Sequence, residues 1–350
     1  MKYNKLGKTD ISVSSICLGT MTWGEQNSEK DSYQQMDYAL DSGINFFDTA
    51  ELYAIPPRPE TAGLTEEYIG NWFKKRGKRD KVVLATKVAG RSEMTWLRNK
   101  EKETRLNKKQ IHYALENSLK RLKTDYIDLY QIHWPDRSLN LWRDINYQHK
   151  EEEDNIDLEE TLSILEDLIK EGKIRNIGVS NETTWGVMQY LFVSNTKRYT
   201  RICAIQNAYN LLNRTYEIKG GLSETAFREQ VGLLAYSPLA QGYLTGKYLN
   251  GTTPEKSRKG LFKNMVQRYE TPQSNNAVKA YIQVAKKYNV EPAQLAIRFC
   301  ETRPFVTSTI IGATTMEQLK TNIESTNLSL SEEILKEIDG IHNLYSNPCP

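Results

Sequence analysis

A chain of 350 residues can bury a large core, and its 39% hydrophobic and 26% charged residues are an ordinary globular mixture. With 47 basic against 44 acidic side chains the net charge is only +3, so charge alone gives no pull toward nucleic acid or anionic lipid. Cys17, Cys203, Cys300 and Cys349 stand far apart, with no CxxC or Cys/His spacing for a metal and no disulfide framework; a reducing, cytoplasmic setting is expected.

The N-terminus MKYNKLGKTD has no apolar signal core, and no run approaches the ~20 apolar residues of a membrane span, so a chain without a membrane anchor is expected. After a hairpin turning at GKTD, β-branched runs alternate with amphipathic stretches. The strand-like runs are 15–19, 44–48, 82–87, 126–133, 173–180, 202–206, 232–237 and 305–312. Between them lie helical stripes: Ile111, Leu115, Leu119 and Leu122, then Leu158, Leu162, Leu165 and Ile169, then Ala277, Tyr281, Val284 and Tyr288. Asn107 is the expected N-cap of the first, with Gln110 three residues on. The basic cluster 74–81 reads as a solvated helix end and loop.

Eight strands each followed by a helix predict parallel βα units. A doubly wound sheet competes, but it usually uses five or six strands, whereas a (β/α)8 TIM barrel uses eight in ~250 residues. The surplus fits the hairpin, insertions near 91–106, 137–156 and 238–272, and a last helix at 331–341. No Pro/Gly/Ser-rich linker divides the chain, so residues 1–350 are expected to form one domain of α/β class.

Active sites of such barrels lie at the C-terminal ends of the strands. Those ends carry Gly19–Thr20, Asp48, Lys87, His133, Ser180–Asn181, Gln206, Ser237 and Gly312. Taken singly, Asp48 is a strand-ending turn residue, Lys87 a snorkelling surface lysine and His133 a core imidazole. Together, with Tyr53 just beyond one end, they suit a specific task. Tyrosine, with a pKa near ~10, is a poor acid at neutral pH. A close ammonium lowers that value, a carboxylate holds the ammonium, and a histidine polarises a carbonyl. The set suits protonation of an oxygen as hydride reaches its carbon, with Tyr53 as general acid. There is no GxGxxG, and GYLTGK (242–247) lacks the spacing and the Ser/Thr of a P-loop.

At these positions the chain resembles the aldo-keto reductase superfamily along nearly its whole length. The stretches that carry the likeness are LGTMTWG (18–24), NFFDTAELY (45–53), LATK (84–87), DLYQIHWP (128–135), GVSNE (178–182), YSPLAQGYLTGKY (236–248) and IIGATTMEQLKTNI (310–323). The segments 56–72 and 137–156 point to one bacterial subgroup. The resemblance implies NADPH-dependent reduction of aldehydes and ketones, with Asp48, Tyr53, Lys87 and His133 matching the catalytic four. It implies cofactor contacts from Gly19, Thr20, Met21 and Trp23 near the nicotinamide, and from Ser180, Asn181 and Gln206 at its carboxamide. Tyr236 matches the ring that stacks on it, and Ser237, Leu239, Gly242, Leu244 and Lys247 the pyrophosphate loop. Thr314, Gln318 and Asn322 match the adenosine end. Gly312 and Gln318 stand where many NADPH-selective relatives carry lysine and arginine, which leaves the 2′-phosphate to Arg258.

Trp23, Tyr53, His133 and Trp134 are the expected substrate pocket, for a small carbonyl compound, with no metal and no protein partner indicated. The tail after Ile341 is too short for a C-terminal lid, and the segment 137–156, with Trp142, Tyr147 and its acidic run, either shapes the pocket or is a solvated loop. A regulatory, cofactor-binding role of the potassium-channel β-subunit kind is the competing expectation, because that class shares the barrel.

Overall fold

The computed structural model describes residues 1–350 apart from 100, 140, 142–146, 152–153, 220, 263–266 and 350; Trp142 therefore lies outside the described residues. Strands β1 (Tyr3–Lys5) and β2 (Ser12–Ser14) pair antiparallel as the expected hairpin. Eight parallel strands then close a barrel among the described residues. In chain order they are β3 (Ile16–Gly19), β4 (Phe46–Asp48), β5 (Val83–Val88), β6 (Leu129–Ile132), β7 (Ile177–Ser180), β8 (Ile202–Ala208), β9 (Gly232–Tyr236) and β10 (Val306–Ile311). Strand β10 pairs with both β9 and β3, which completes the ring.

Every predicted run contains one strand, but two runs start three or more residues too early. The 126–133 and 173–180 runs begin pairing regularly only at Leu129 and Ile177. Before them, the Tyr126 ring is sandwiched between Arg79 and Arg175, with guanidinium carbons 4.0 and 3.7 Å from its centroid. This contact holds Tyr126 outside the sheet. Asn107 caps the helix Lys108–Leu122 through its side chain, as expected. The reciprocal half of a capping box is absent, because Gln110 Oε1 accepts from the Arg105 amide instead. The last helix, Glu332–Leu344, runs past the predicted end at 341.

Strand alternation divides the interior. Outward residues such as Leu84, Tyr130 and Ile177 join Leu162, Leu165 and Ile111 from the helices in the principal core. Burying each such side chain contributes roughly 1.5–3 kcal/mol. Inward residues Cys17, Phe46, Ala85, Leu129, Ala204, Leu234 and Ile310 form a second cluster, closed from below by Leu6 and Val13 of the hairpin. The hairpin is fixed at the N-terminal rim by Asn4 Nδ2, which donates to Thr307 O at 2.8 Å. Gly7, with φ +59°, lies so near Cys203 that a Cβ would sit 2.5 Å from its carbonyl oxygen.

The hairpin is thus a floor that an enclosed barrel requires. Leu6 is fully buried. Leu6→Ala should therefore lower unfolding free energy by about 2–5 kcal/mol in a urea titration, and a loss under ~1 kcal/mol would show that the floor is dispensable.

Candidate active site

Two residues beyond the inward apolar layer, the same strands present Gly19, Asp48, Lys87, Gln131, Gln206, Tyr236 and Gly312 to the interior. On β7 Gly178 faces inward, since a Cβ there would lie 3.0 Å from Gln131 Cγ, and Ser180 follows it. Register aligns these positions across neighbouring strands: Gly19 with Asp48, Lys87 with Gln131, Ser180 with Gln206. A polar layer directly above an apolar one is the consequence.

Lys87 stands in that layer with no exposed surface, and Asp48 is 3% exposed. Lys87 Nζ donates to Asp48 Oδ2 at 2.6 Å and to Thr49 O at 2.7 Å. The other carboxylate oxygen, Oδ1, accepts from Gln206 Nε2 at 2.7 Å and Gln131 Nε2 at 3.1 Å. Burial alone pulls the Lys87 ammonium toward neutrality, but Asp48 and Tyr53 outweigh it and hold its pKa above the usual lysine value. The ammonium has a third, longer contact, 3.4 Å to the Tyr53 hydroxyl.

That contact has a different effect from the one expected. Burial pushes the Tyr53 phenol up, Lys87 pulls it back only in part, and Asp48 adds to the rise. The net value lies above that of free tyrosine, so the expected lowering is corrected. The shorter bonds of the ammonium go to Asp48 and Thr49, and the buried ring loses more hydration than one long contact restores. Tyr53 is fully protonated at neutral pH.

His133 extends β6 by donating its amide to Val88 O. Its ring meets Tyr53 edge-on, with centroids 5.7 Å apart. Burial first, and the Lys87 ammonium second, hold the imidazole well below the usual histidine pKa. Its buried Nδ1 has no hydrogen-bond partner among the described residues. Trp134 packs on His133 at 4.9 Å, and its Nε1 donates to Arg91 O. Tyr53 and Trp134 share an apolar cluster with Ala50, Leu52 and Ala89, against which Met21, Ile55, Met94, Leu97 and Leu141 pack.

The residues expected to hold a cofactor divide into two groups. Thr20 donates to Asp48 O, Ser180 Oγ to Gln206 O, and Asn181 Nδ2 to His133 O, while the Tyr236 hydroxyl donates to Asn181 Oδ1 at 2.7 Å. These line the mouth. Beyond Tyr236 the chain turns through left-handed backbone at Ser237, Ala240, Gln241 and Gly242. There Lys247 Nζ lies 2.8 Å from where a Cβ on Gly242 would fall. Such a glycine-lined cradle with an amine against it fits a phosphate. Lys247 and the half-buried Arg258 have no carboxylate partner among the described residues, and Arg258 faces the phenols of Tyr248, Tyr269 and Tyr53. Leu239 packs partly into the core beside this loop.

Two of the expected residues turn their side chains into the core. Trp23 is fully buried and donates from Nε1 to Gln35 Oε1, so its side chain belongs to the core. A turn in which the Trp23 amide donates to Thr20 O carries the ring away from the mouth. Leu244 likewise buries its side chain in the core and spends its amide on Leu239 O. At the far end, Gln318 Oε1 accepts from the amide and hydroxyl of Thr314, and Asn322 Nδ2 donates to Gly312 O. Thr315 caps the helix Met316–Glu324 that follows.

Sequence reasoning missed Gln131, which sits within an apolar run and is revealed only by strand parity. It also missed a buried Glu51–Arg98 pair and the mouth residues Met94 and Leu97. Tyr147 is exposed, as a solvated loop would have it. Among the described residues no cluster of His, Cys, Asp and Glu could hold a metal ion, and no helix is long and apolar enough to cross a membrane.

A closed parallel barrel with a buried Asp–Lys pair beside a tyrosine at its C-terminal mouth is the scaffold of a barrel oxidoreductase. Residues 15–343 match the Aldo/keto reductase family, and the chain belongs to that family, whose members generally use NAD(P)H. It is 49% identical over 354 residues to Protein tas of Escherichia coli (strain K12), spanning 100% of both chains. It is 34% identical to the Uncharacterized oxidoreductase YrpG of Bacillus subtilis (strain 168), over 97% of this chain and 96% of that one. Aldo-keto reductase of Babesia bovis is 39% identical over 77% of this chain and 98% of its own length.

The buried pair makes a stability prediction. Lys87→Met leaves the Asp48 carboxylate without its cation, which should cost about 3–5 kcal/mol in a denaturant titration at neutral pH. A loss under ~1 kcal/mol would show that the pair is not buried as described.

Proposed function

We propose that the protein is an NADPH-dependent carbonyl reductase that converts aldehydes and ketones to alcohols with Tyr53 as general acid. One observation carries this reading: the Tyr53 hydroxyl lies 3.4 Å from the buried Lys87 ammonium, with its ring edge-on to the His133 imidazole, at the mouth of the barrel.

A bound NADPH would supply the hydride to the carbonyl carbon, and the rest falls to the chain. Ser180, Asn181, Gln206 and Tyr236 would hold the nicotinamide end, the 237–247 loop and Arg258 the phosphates, and Thr314, Gln318 and Asn322 the adenosine end. Neutral His133 keeps an N–H that can orient the carbonyl oxygen toward Tyr53. Tyr53 gives that oxygen its proton, and the phenolate left behind is stabilised by Lys87. Asp48 keeps Lys87 charged and in place. Ala50, Leu52 and Trp134 exclude water and favour small aromatic or aliphatic substrates, with a few polar groups fixing the carbonyl. A single domain working in the cytoplasm completes the reading; the four cysteines, all buried free thiols, fit a reducing compartment.

Tyr53→Phe removes only a hydroxyl and should lower turnover by at least ~10²-fold while cofactor affinity persists. Near-normal reduction by this variant would remove Tyr53 from its role. The pH profile follows from the two shifts. The donor is the protonated phenol and its pKa is raised, so kcat/KM should fall only on the alkaline side, above about 10. His133 is already neutral, so no break is expected near the ordinary histidine value of about 6.5. An inflection there would contradict the assignment. Titrating NADPH and NADH tests the preference: Arg258 can pair with the 2′-phosphate through charge-assisted hydrogen bonds, and equal dissociation constants would defeat it.

A further inference from the structure

One buried ion pair at the mouth takes no part in the chemistry above. Glu51 and Arg98 are 3% and 2% exposed. They meet as a fork, Arg98 Nη2 to Glu51 Oε1 at 2.6 Å and Nη1 to Oε2 at 2.7 Å. Glu51 Oε1 also accepts from the Ala89 amide at 2.7 Å, and the Glu51 amide donates to Lys87 O. Glu51 lies between Asp48 and Tyr53 in the chain. Arg98 closes the segment that leaves β5 and carries Met94 and Leu97. The pair therefore clamps that segment to the turn bearing Tyr53.

Between Arg91 and Arg98 the regular structure is a bridge from Ser92 to Thr104 and the single turn Thr95–Leu97. The segment's first end is held by Trp134 Nε1 on Arg91 O and by Ser92, which pairs with Thr104, and its other end by the Glu51–Arg98 fork. Between the anchors, Met94 and Leu97 pack onto the cluster of Tyr53 and Trp134. A flexible thioether beside a branched aliphatic makes an adaptable apolar wall. A fork between guanidinium and carboxylate adds geometric precision that a point charge does not.

We propose that the segment 91–98 is the substrate-selecting wall of this site, with Met94 and Leu97 contacting the apolar part of the carbonyl compound. Arg98 and Glu51 are the positioning pair that holds the wall. The proposal rests on the carbonyl-reductase reading, and it adds to the 137–156 loop, whose Leu141 packs on the same cluster, a segment that precedes it.

The test compares wild type, Leu97→Phe, Leu97→Ala and Arg98→Lys on benzaldehyde, para-nitrobenzaldehyde and acetylnaphthalene. NADPH binding is followed by protein fluorescence, and binding of para-nitrobenzyl alcohol by calorimetry. Leu97→Phe should lower kcat/KM for the naphthyl ketone relative to benzaldehyde by roughly tenfold, and Leu97→Ala should shift the ratio the other way. NADPH affinity should not change in either. Arg98→Lys keeps the charge but loses the fork, so it should raise KM for the larger substrate while kcat for benzaldehyde holds. Unaltered selectivity ratios in both Leu97 variants would overturn the wall, and wild-type KM values in Arg98→Lys would overturn the clamp. Failure of the wild type to reduce any carbonyl would sink the reductase reading alone. The alcohol then reports on the wall: weaker binding to Leu97→Phe supports it, and equal binding overturns it.

Discussion

An ammonium group with no exposed surface stays charged only where the fold compensates it, and Lys87 sets that requirement for the whole mouth of the barrel. Asp48 supplies the opposite charge at 2.6 Å, and the Thr49 carbonyl accepts a second bond. The carboxylate has its own needs, and Gln131 and Gln206 meet them from strands β6 and β8. One ion pair thus fixes the identity of inward residues on four strands. Because an isolated buried charge is far more costly than a paired one, no member of this set can be removed cheaply.

The same pair sets the protonation states around it. Burial, with Lys87 adding to it, keeps His133 neutral, and Lys87 lies too far to bring the Tyr53 phenol below its ordinary value. Its electrostatic influence is stronger on a phenolate than on a neutral phenol, so it acts where charge develops and not in the resting state. A protonated donor, a neutral imidazole and a held cation are three consequences of one arrangement. The apolar wall of Leu52, Ala89 and Trp134 keeps water from screening them.

Much of this was legible from sequence because strands and helices leave different periods. The alternation of runs indicated eight strands, and their polar ends indicated Asp48, Lys87 and His133. What was hidden depended on contacts that periodicity does not encode. Gln131 sits in the apolar run LYQIH, and its pairing beside Lys87 and its bond to Asp48 show that it faces inward. Glu51 and Arg98 are 47 residues apart and meet through an irregular loop. Trp23 follows Gly19 and Thr20 closely enough to look like a pocket wall, but a local turn sends it to Gln35. The direction of the Tyr53 shift could not be read either, because it is the difference between burial and an ammonium whose distance the sequence does not state.

The central claim is that Lys87 opposes, without overcoming, the effect of burial on Tyr53. Carbon NMR of protein labelled at tyrosine Cζ, with the Tyr53 signal assigned by its loss in Tyr53→Phe, measures this directly. In the wild type the Tyr53 phenol should titrate above the value of about 10 for free tyrosine. In Lys87→Met it should move higher still, because burial remains and the opposing charge is gone. A wild-type value below that of free tyrosine, or a Tyr53 titration unmoved by loss of Lys87, would contradict the account.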